Sequence, residues 1–185
     1  SVTASYIRRG YDLAVYEEAV EKLQKIGVHI VTHIILGLPD ESKEMMLESV
    51  RYVGDLAKRF DTTTDESKDC SKPEVNSCTN SGINKVAVKS EDNFGKKHQF
   101  GIKLQLLHII RGTDLAKDYE AGKFQALTLE DYVDLIVDCL KVLPEDMVIH
   151  RITGDGDKRT LIAPLWSGDK KRVLNALNKA INEAI

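Results

Sequence analysis

The pattern of apolar and polar residues changes period three times in the first sixty positions. Residues 12–26 set Leu13, Tyr16, Val20 and Leu23 at helical spacing, and Ala19 and Ile26 widen the stripe. Asp12 is placed to cap such a helix and Gly27 to stop it. Residues 28–36 then read VHIVTHIIL, a nearly unbroken β-branched run of the kind that fits a parallel strand covered on both faces. Gly37-Leu38-Pro39 ends it, and residues 42–60 return to helical spacing with Met46, Val50, Val53, Ala57 and Phe60 on one face.

From 61 to 99 the periodicity lapses into Thr, Ser, Asp, Asn and Lys, which predicts a flexible polar insertion with residues 83–88 as a short strand at most. Order resumes at 101–109, GIKLQLLHI, as a second strand. Thr113 caps a short helix ending at Gly122, and Thr128 with Asp131 reads as a capping box opening a helix over 129–142. A third strand follows at 147–152, then the apolar run 161–166, then a last helix with Val173, Leu174, Leu177 and Ile181 on one stripe. Strands that alternate with helices imply βα units and a parallel sheet. A closed parallel barrel needs about eight strands, and a three-stranded sheet leaves an open edge. The expectation is an α/β partial barrel lacking its N-terminal strands, in three parts: 1–60, the 61–99 insertion, and 100–185.

Composition narrows the class. Apolar and charged fractions of 42% and 30% are ordinary for a globular protein, and the formal charge of −3 argues against a dedicated nucleic-acid binder. No run approaches the roughly 20 apolar residues of a membrane span. Ser1-Val2-Thr3-Ala4 shows no signal-peptide layout, so a cytoplasmic protein is expected. Cys139 falls in an apolar helix and reads as a buried thiol; Cys70 and Cys78 match no zinc or iron–sulfur spacing.

Three segments carry more than composition: HIILGLPDE at 33–41, GIKLQLLHIIRGTDLAKDYEAGKF at 101–124, and VIHRITGDGDKRTLIAPLWS at 148–167. Together they resemble the later part of a radical SAM (Fe–S oxidoreductase-like) family of unassigned function, related to the oxygen-independent coproporphyrinogen oxidases and the Elongator catalytic subunit. The resemblance covers residues 6–60 and 101–182. It implies a partial or full βα barrel, with S-adenosylmethionine and a [4Fe–4S] cluster held by a CxxxCxxC loop. That motif is absent from these 185 residues. The cluster ligands would therefore lie in an N-terminal half, and the chain alone would be inactive. The resemblance makes 28–36 the fifth barrel strand and 102–109 the sixth. Ile35, Gly37, Leu107 and His108 would then lie beside the adenine of S-adenosylmethionine. Asp40 stands where the family usually has glycine, which puts the shape of that turn in question. The substrate, a small molecule or RNA, stays open.

His33, His108 and His150 each lie in or near the end of a predicted strand. They leave open a second class, a histidine-based metal-dependent hydrolase, although no acidic residue offers itself as fourth ligand. A hydrogen-bonded structural role is the simpler reading for His33, and His29 and His98 read as surface residues. Arg151, Thr153, Gly154, Asp155 and Gly156 form a polar turn that is either an anion cradle or solvated Asp-Gly chemistry. The family pattern favours a substrate-binding role for His150 and Arg151. Trp166 is expected to pack the last helix, Met45 and Met46 to be core, and Lys170-Lys171-Arg172 to be a solvated face, although that run is also the one candidate the sequence offers for a phosphate contact. Glu18–Lys22 and Glu21–Lys25 are spaced for surface ion pairs. A third class is a non-catalytic half-barrel used for binding or assembly.

Overall fold

A computed structural model describes residues 2–61, 100–154 and 156–184. The 61–99 insertion beyond Asp61, the short strand at 83–88, Cys70, Cys78, His98 and Asp155 lie outside the described residues. The elements are α1 (Val2–Tyr6), α2 (Leu13–Lys25), β1 (Ile30–Leu36), α3 (Lys43–Asp61), β2 (Phe100–Leu106), β3 (Ile109–Ile110), α4 (Asp114–Glu120), α5 (Leu129–Val142), β4 (Val148–Arg151), β5 (Leu161–Ala163), a 3-10 turn (Leu165–Gly168) and α6 (Lys170–Ala184).

The main sheet has the order β1-β2-β4 with every pair parallel. This is the partial α/β fold that the alternating pattern predicts. Side chains of a strand alternate between faces, and here one face takes the whole core. Ile30 and Leu36 of β1 are buried with Phe100, Ile102, Leu104 and Leu106 of β2, against Val50, Leu56, Ile136 and Leu177 from the helices. Burying each such leucine or isoleucine contributes about 1.5–3 kcal/mol. Polar contacts fix the layers. The Tyr16 hydroxyl of α2 bonds Thr32 Oγ1 of β1 at 2.6 Å, and Lys43 of α3 pairs with Asp138 of α5 at 2.5 Å.

The caps behave as the sequence indicates in two of three helices. Thr113 Oγ1 accepts from the Ala116 N–H and Thr128 Oγ1 from the Asp131 N–H, both at 3.1 Å. Asp12 has the extended backbone of an N-cap, but its side chain makes no capping bond. The Glu18–Lys22 and Glu21–Lys25 pairs are both present at 2.6 Å.

Several expectations are corrected. The strand expected over 101–109 stops at Leu106, and Ile109–Ile110 leaves to pair with Leu161–Ala163 in a separate antiparallel sheet. The sheet structure is therefore not purely parallel. The strand at 28–36 is not covered on both faces, because His33 and Ile35 are exposed. Met46 is buried but Met45, its neighbour on α3, is exposed. The stripe of α2 is only half used: Val20 is buried, while Leu13, Leu23 and Ile26 are exposed.

Candidate functional site

The carboxyl ends of β1 and β2 are tied flush. Leu36 and Leu106 are register partners, and the next residue, Leu107, donates its N–H to the Leu36 carbonyl at 2.9 Å. Parallel α/β folds gather ligands at this end of their strands. Ile35 sits one residue earlier on the open face, 41% exposed, beside its partner Gln105. Of the four residues expected near adenine, Ile35 and Gly37 at the end of β1 and Leu107 after β2 thus lie at the same end of the sheet.

Gly37 has φ +88°, and its N–H donates to Met46 Sδ at 3.1 Å. A Cβ there would lie 2.9 Å from Leu127 Cδ1. The space a side chain would fill is taken by Leu127, so this glycine serves the turn and the packing beneath it. Asp40 adopts φ +61°. It holds a left-handed backbone, a conformation that glycine adopts more readily than other residues. Glu41 carries no signal of its own in the sequence. Burial pushes its carboxyl above the usual range, a backbone bond at Leu38 opposes that, and Oε2 has no hydrogen-bond partner among the described residues.

His108 turns away from the other three. Its ring packs against Gly154, where any Cβ would collide with Cε1, and against Gly156, whose Cβ would lie 3.3 Å from Cδ2. Nε2 lies 3.1 Å from Ser167 Oγ, and that hydroxyl donates to the Pro164 carbonyl at 2.8 Å. One hydroxyl proton serves one bond, which makes Nε2 the donor to Ser167. The side chain of His108 thus packs against Gly154 and Gly156. Thr153, Gly154, Ser167 and Lys170 line a small cavity there with Tyr132 and Trp166. Trp166 packs on Tyr132 at 5.7 Å between ring centres and donates Nε1–H to the Leu127 carbonyl at 3.0 Å.

His33, Lys103 and Arg151 lie in one line across β1, β2 and β4 as register partners. The ring of His150 rests over Gly101, whose Cβ would lie 2.5 Å from Nε2. His33 is exposed and has no side-chain hydrogen bond among the described residues, which corrects its expected structural role. The three strand histidines do not converge: among the described residues no group of three His, Cys, Asp or Glu is placed to hold a metal ion. Cys139 is fully buried, and burial pushes its thiol up to about 12.

Residues 100–183 match the Radical_SAM C-terminal domain. That match supports a radical SAM C-terminal family for this chain. The relatives agree in extent: YtqA, an uncharacterized protein of Bacillus subtilis, is 36% identical over 179 residues, covering 97% of this chain and 43% of its own length. YhcC of Escherichia coli K12 is 26% identical over 98% of this chain and 45% of its own length. MJ0486 of Methanocaldococcus jannaschii, likewise uncharacterized, is 21% identical over 98% and 44%. The chain thus spans less than half the length of these curated relatives. No helix among the described residues is long and apolar enough to cross a membrane.

Proposed function

We propose that these residues are the C-terminal part of a cytoplasmic radical SAM iron–sulfur enzyme, contributing the adenine side and part of the substrate side of its site. The kinship with oxygen-independent coproporphyrinogen oxidases and the Elongator catalytic subunit belongs to the same reading. Its main support is the Leu36–Leu107 bond, which sets two strand ends level beside the exposed His33 and Ile35.

The residues present do not fit the cluster. No CxxxCxxC occurs in the 185 residues, and a thiol as buried as Cys139 is a poor thiolate ligand. The cluster would be held by an N-terminal half of the same protein, the partner this reading requires. S-adenosylmethionine fits better. Ile35 offers an exposed apolar surface to a purine face. The N–H groups of Gly37 and Leu107 are already engaged, so these two residues would offer carbonyls to the adenine amino group. His108 would act through the backbone, since its side chain is engaged by Gly154, Gly156 and Ser167. When bound, the group supplies a 5′-deoxyadenosyl radical for hydrogen abstraction. His150 and Arg151 stand on the substrate side.

Anaerobic iron and sulfide reconstitution tests the division of labour. The 185-residue chain should form no stable [4Fe–4S] absorption and no 5′-deoxyadenosine. A polypeptide that also carries a CxxxCxxC half should form both. In that longer protein Ile35→Asp should weaken S-adenosylmethionine binding about tenfold or more. Cluster formation by the short chain, or unchanged affinity in the variant, would overturn the assignment.

A further inference from the structure

The sheet face turned away from the core carries a set of nitrogen donors that nothing among the described residues engages. β1, β2 and β4 together contain His33, Lys103, His150 and Arg151 and no aspartate or glutamate. The chain as a whole has a net charge of −3, so this sheet runs against its surroundings.

Geometry gathers these residues. His33 partners Lys103 across β1–β2, and Lys103 partners Arg151 across β2–β4. Neighbouring strands lie about 4.8 Å apart, so the three backbones fall within about 10 Å. Directly paired residues share a face. Gly101, two positions before Lys103, shares that face as well, and the His150 ring lies on it there. A register shift at Ile102/Lys103 brings both His150 and Arg151 level with this stretch of β2.

None of the four side chains makes a hydrogen bond or ion pair among the described residues. Elsewhere Lys22, Lys25, Lys43, Lys117 and Lys123 all have acidic partners. Lys103 is half-buried on the central strand, where helices occupy the opposite face. A charge in such a place is stabilised by a counter-charge. Gln105, next on the same face, adds an amide that is equally without a partner among the described residues.

We propose that this face binds an anionic oxygen group, a carboxylate or a phosphate, with Lys103 as the central contact and His33 and His150 as flanking donors. The inference deepens the reading above by naming a substrate chemistry, and its placement as a substrate site rests on that reading. Anion binding itself requires neither iron nor S-adenosylmethionine, so the two fail separately.

The test is an NMR titration of the 185-residue chain with inorganic phosphate and, separately, acetate. Sodium chloride holds ionic strength constant, pH is fixed, and the ring C–H resonances of His33 and His150 are followed. Saturating shifts on both rings are expected, and the tighter anion identifies the group. Lys103→Met should weaken the affinity roughly tenfold. Lys103→Arg should keep it, and Lys171→Met, on the far helix, should bind like the parent. Shifts in the parent that grow linearly without saturating overturn the proposal. So does a folded Lys103→Met protein with the parent's affinity.

Discussion

The ring of His150 lies over Gly101, in the space where any other residue would carry its Cβ. The contact spans two neighbouring strands, and it exists because position 101 has no side chain. Gly101→Ala should displace the imidazole or part β2 from β4, at a cost of about 1–3 kcal/mol in urea unfolding. Most of that cost should vanish in a His150→Ala background. An alanine as destabilising there as in the parent would show the strain to lie against the Val148 carbonyl, 3.0 Å away, instead.

Asp40 sustains a left-handed backbone without being glycine. Asp40→Gly should therefore raise stability by about 0.5–1 kcal/mol, and a β-branched Asp40→Val should lower it by more than that. If glycine stabilised no better than valine, the positive φ would not be the residue's dominant constraint.

Burial raises the Cys139 thiol from 9.0 to about 12, which makes a claim about alkaline pH. The folded state holds this proton more tightly than the unfolded chain. The corresponding stability is fully present below pH 9 and is lost as pH climbs from 9 towards 12. Cys139→Ala should flatten that part of the stability profile. Tyr52, also raised to about 12 by burial and by its bond to Glu17, leaves a residual slope. In a Cys70→Ser, Cys78→Ser background, iodoacetamide at pH 8 should label the protein only after denaturant is added.

The Thr128 cap is a local test of α5. Thr128→Ala removes the acceptor for the Asp131 N–H and should cost about 1 kcal/mol, whereas Thr128→Asn should recover most of it. Equal losses in both variants would mean that the threonine methyl, rather than its oxygen, stabilises the helix start.

The parts of this fold that could be read in advance are those with a long period. α5 has fourteen residues, a capping threonine and seven buried side chains, so pattern and cap agree. β3 and β5 have two and three residues, too few to show any alternation. Ile109 therefore reads as a continuation of β2, and only the antiparallel pairing of Ile109–Ile110 with β5 separates it. The exposure of His33 was hidden for another reason. A β-branched run reports that a strand exists, whereas coverage of its second face depends on what packs there.

Legibility of the site divides the same way. His150 and Arg151 could be named from a motif, but Lys103 is a single lysine in an apolar run and gains meaning only from the residues opposite it. Gly101 did leave a trace, because an isolated glycine opening a strand marks a close approach of some other group. Glu41 left none, since its burial depends on how the Leu38–Asp40 turn folds back.

The one-sidedness of the sheet has a consequence for how such a protein can change over generations. Ile30, Leu36, Ile102, Leu104 and Leu106 hold the helices, and substitutions among them are paid in stability. His33, Ile35, Lys103 and Gln105 sit between them in sequence yet add little to the core. Mutation can therefore rewrite the odd-numbered residues of β1 and β2 while the even-numbered ones keep the architecture constant. Descendants of one ancestral scaffold could diverge in what they recognise without refolding, each new specificity being drawn from alternate letters of the same two strands.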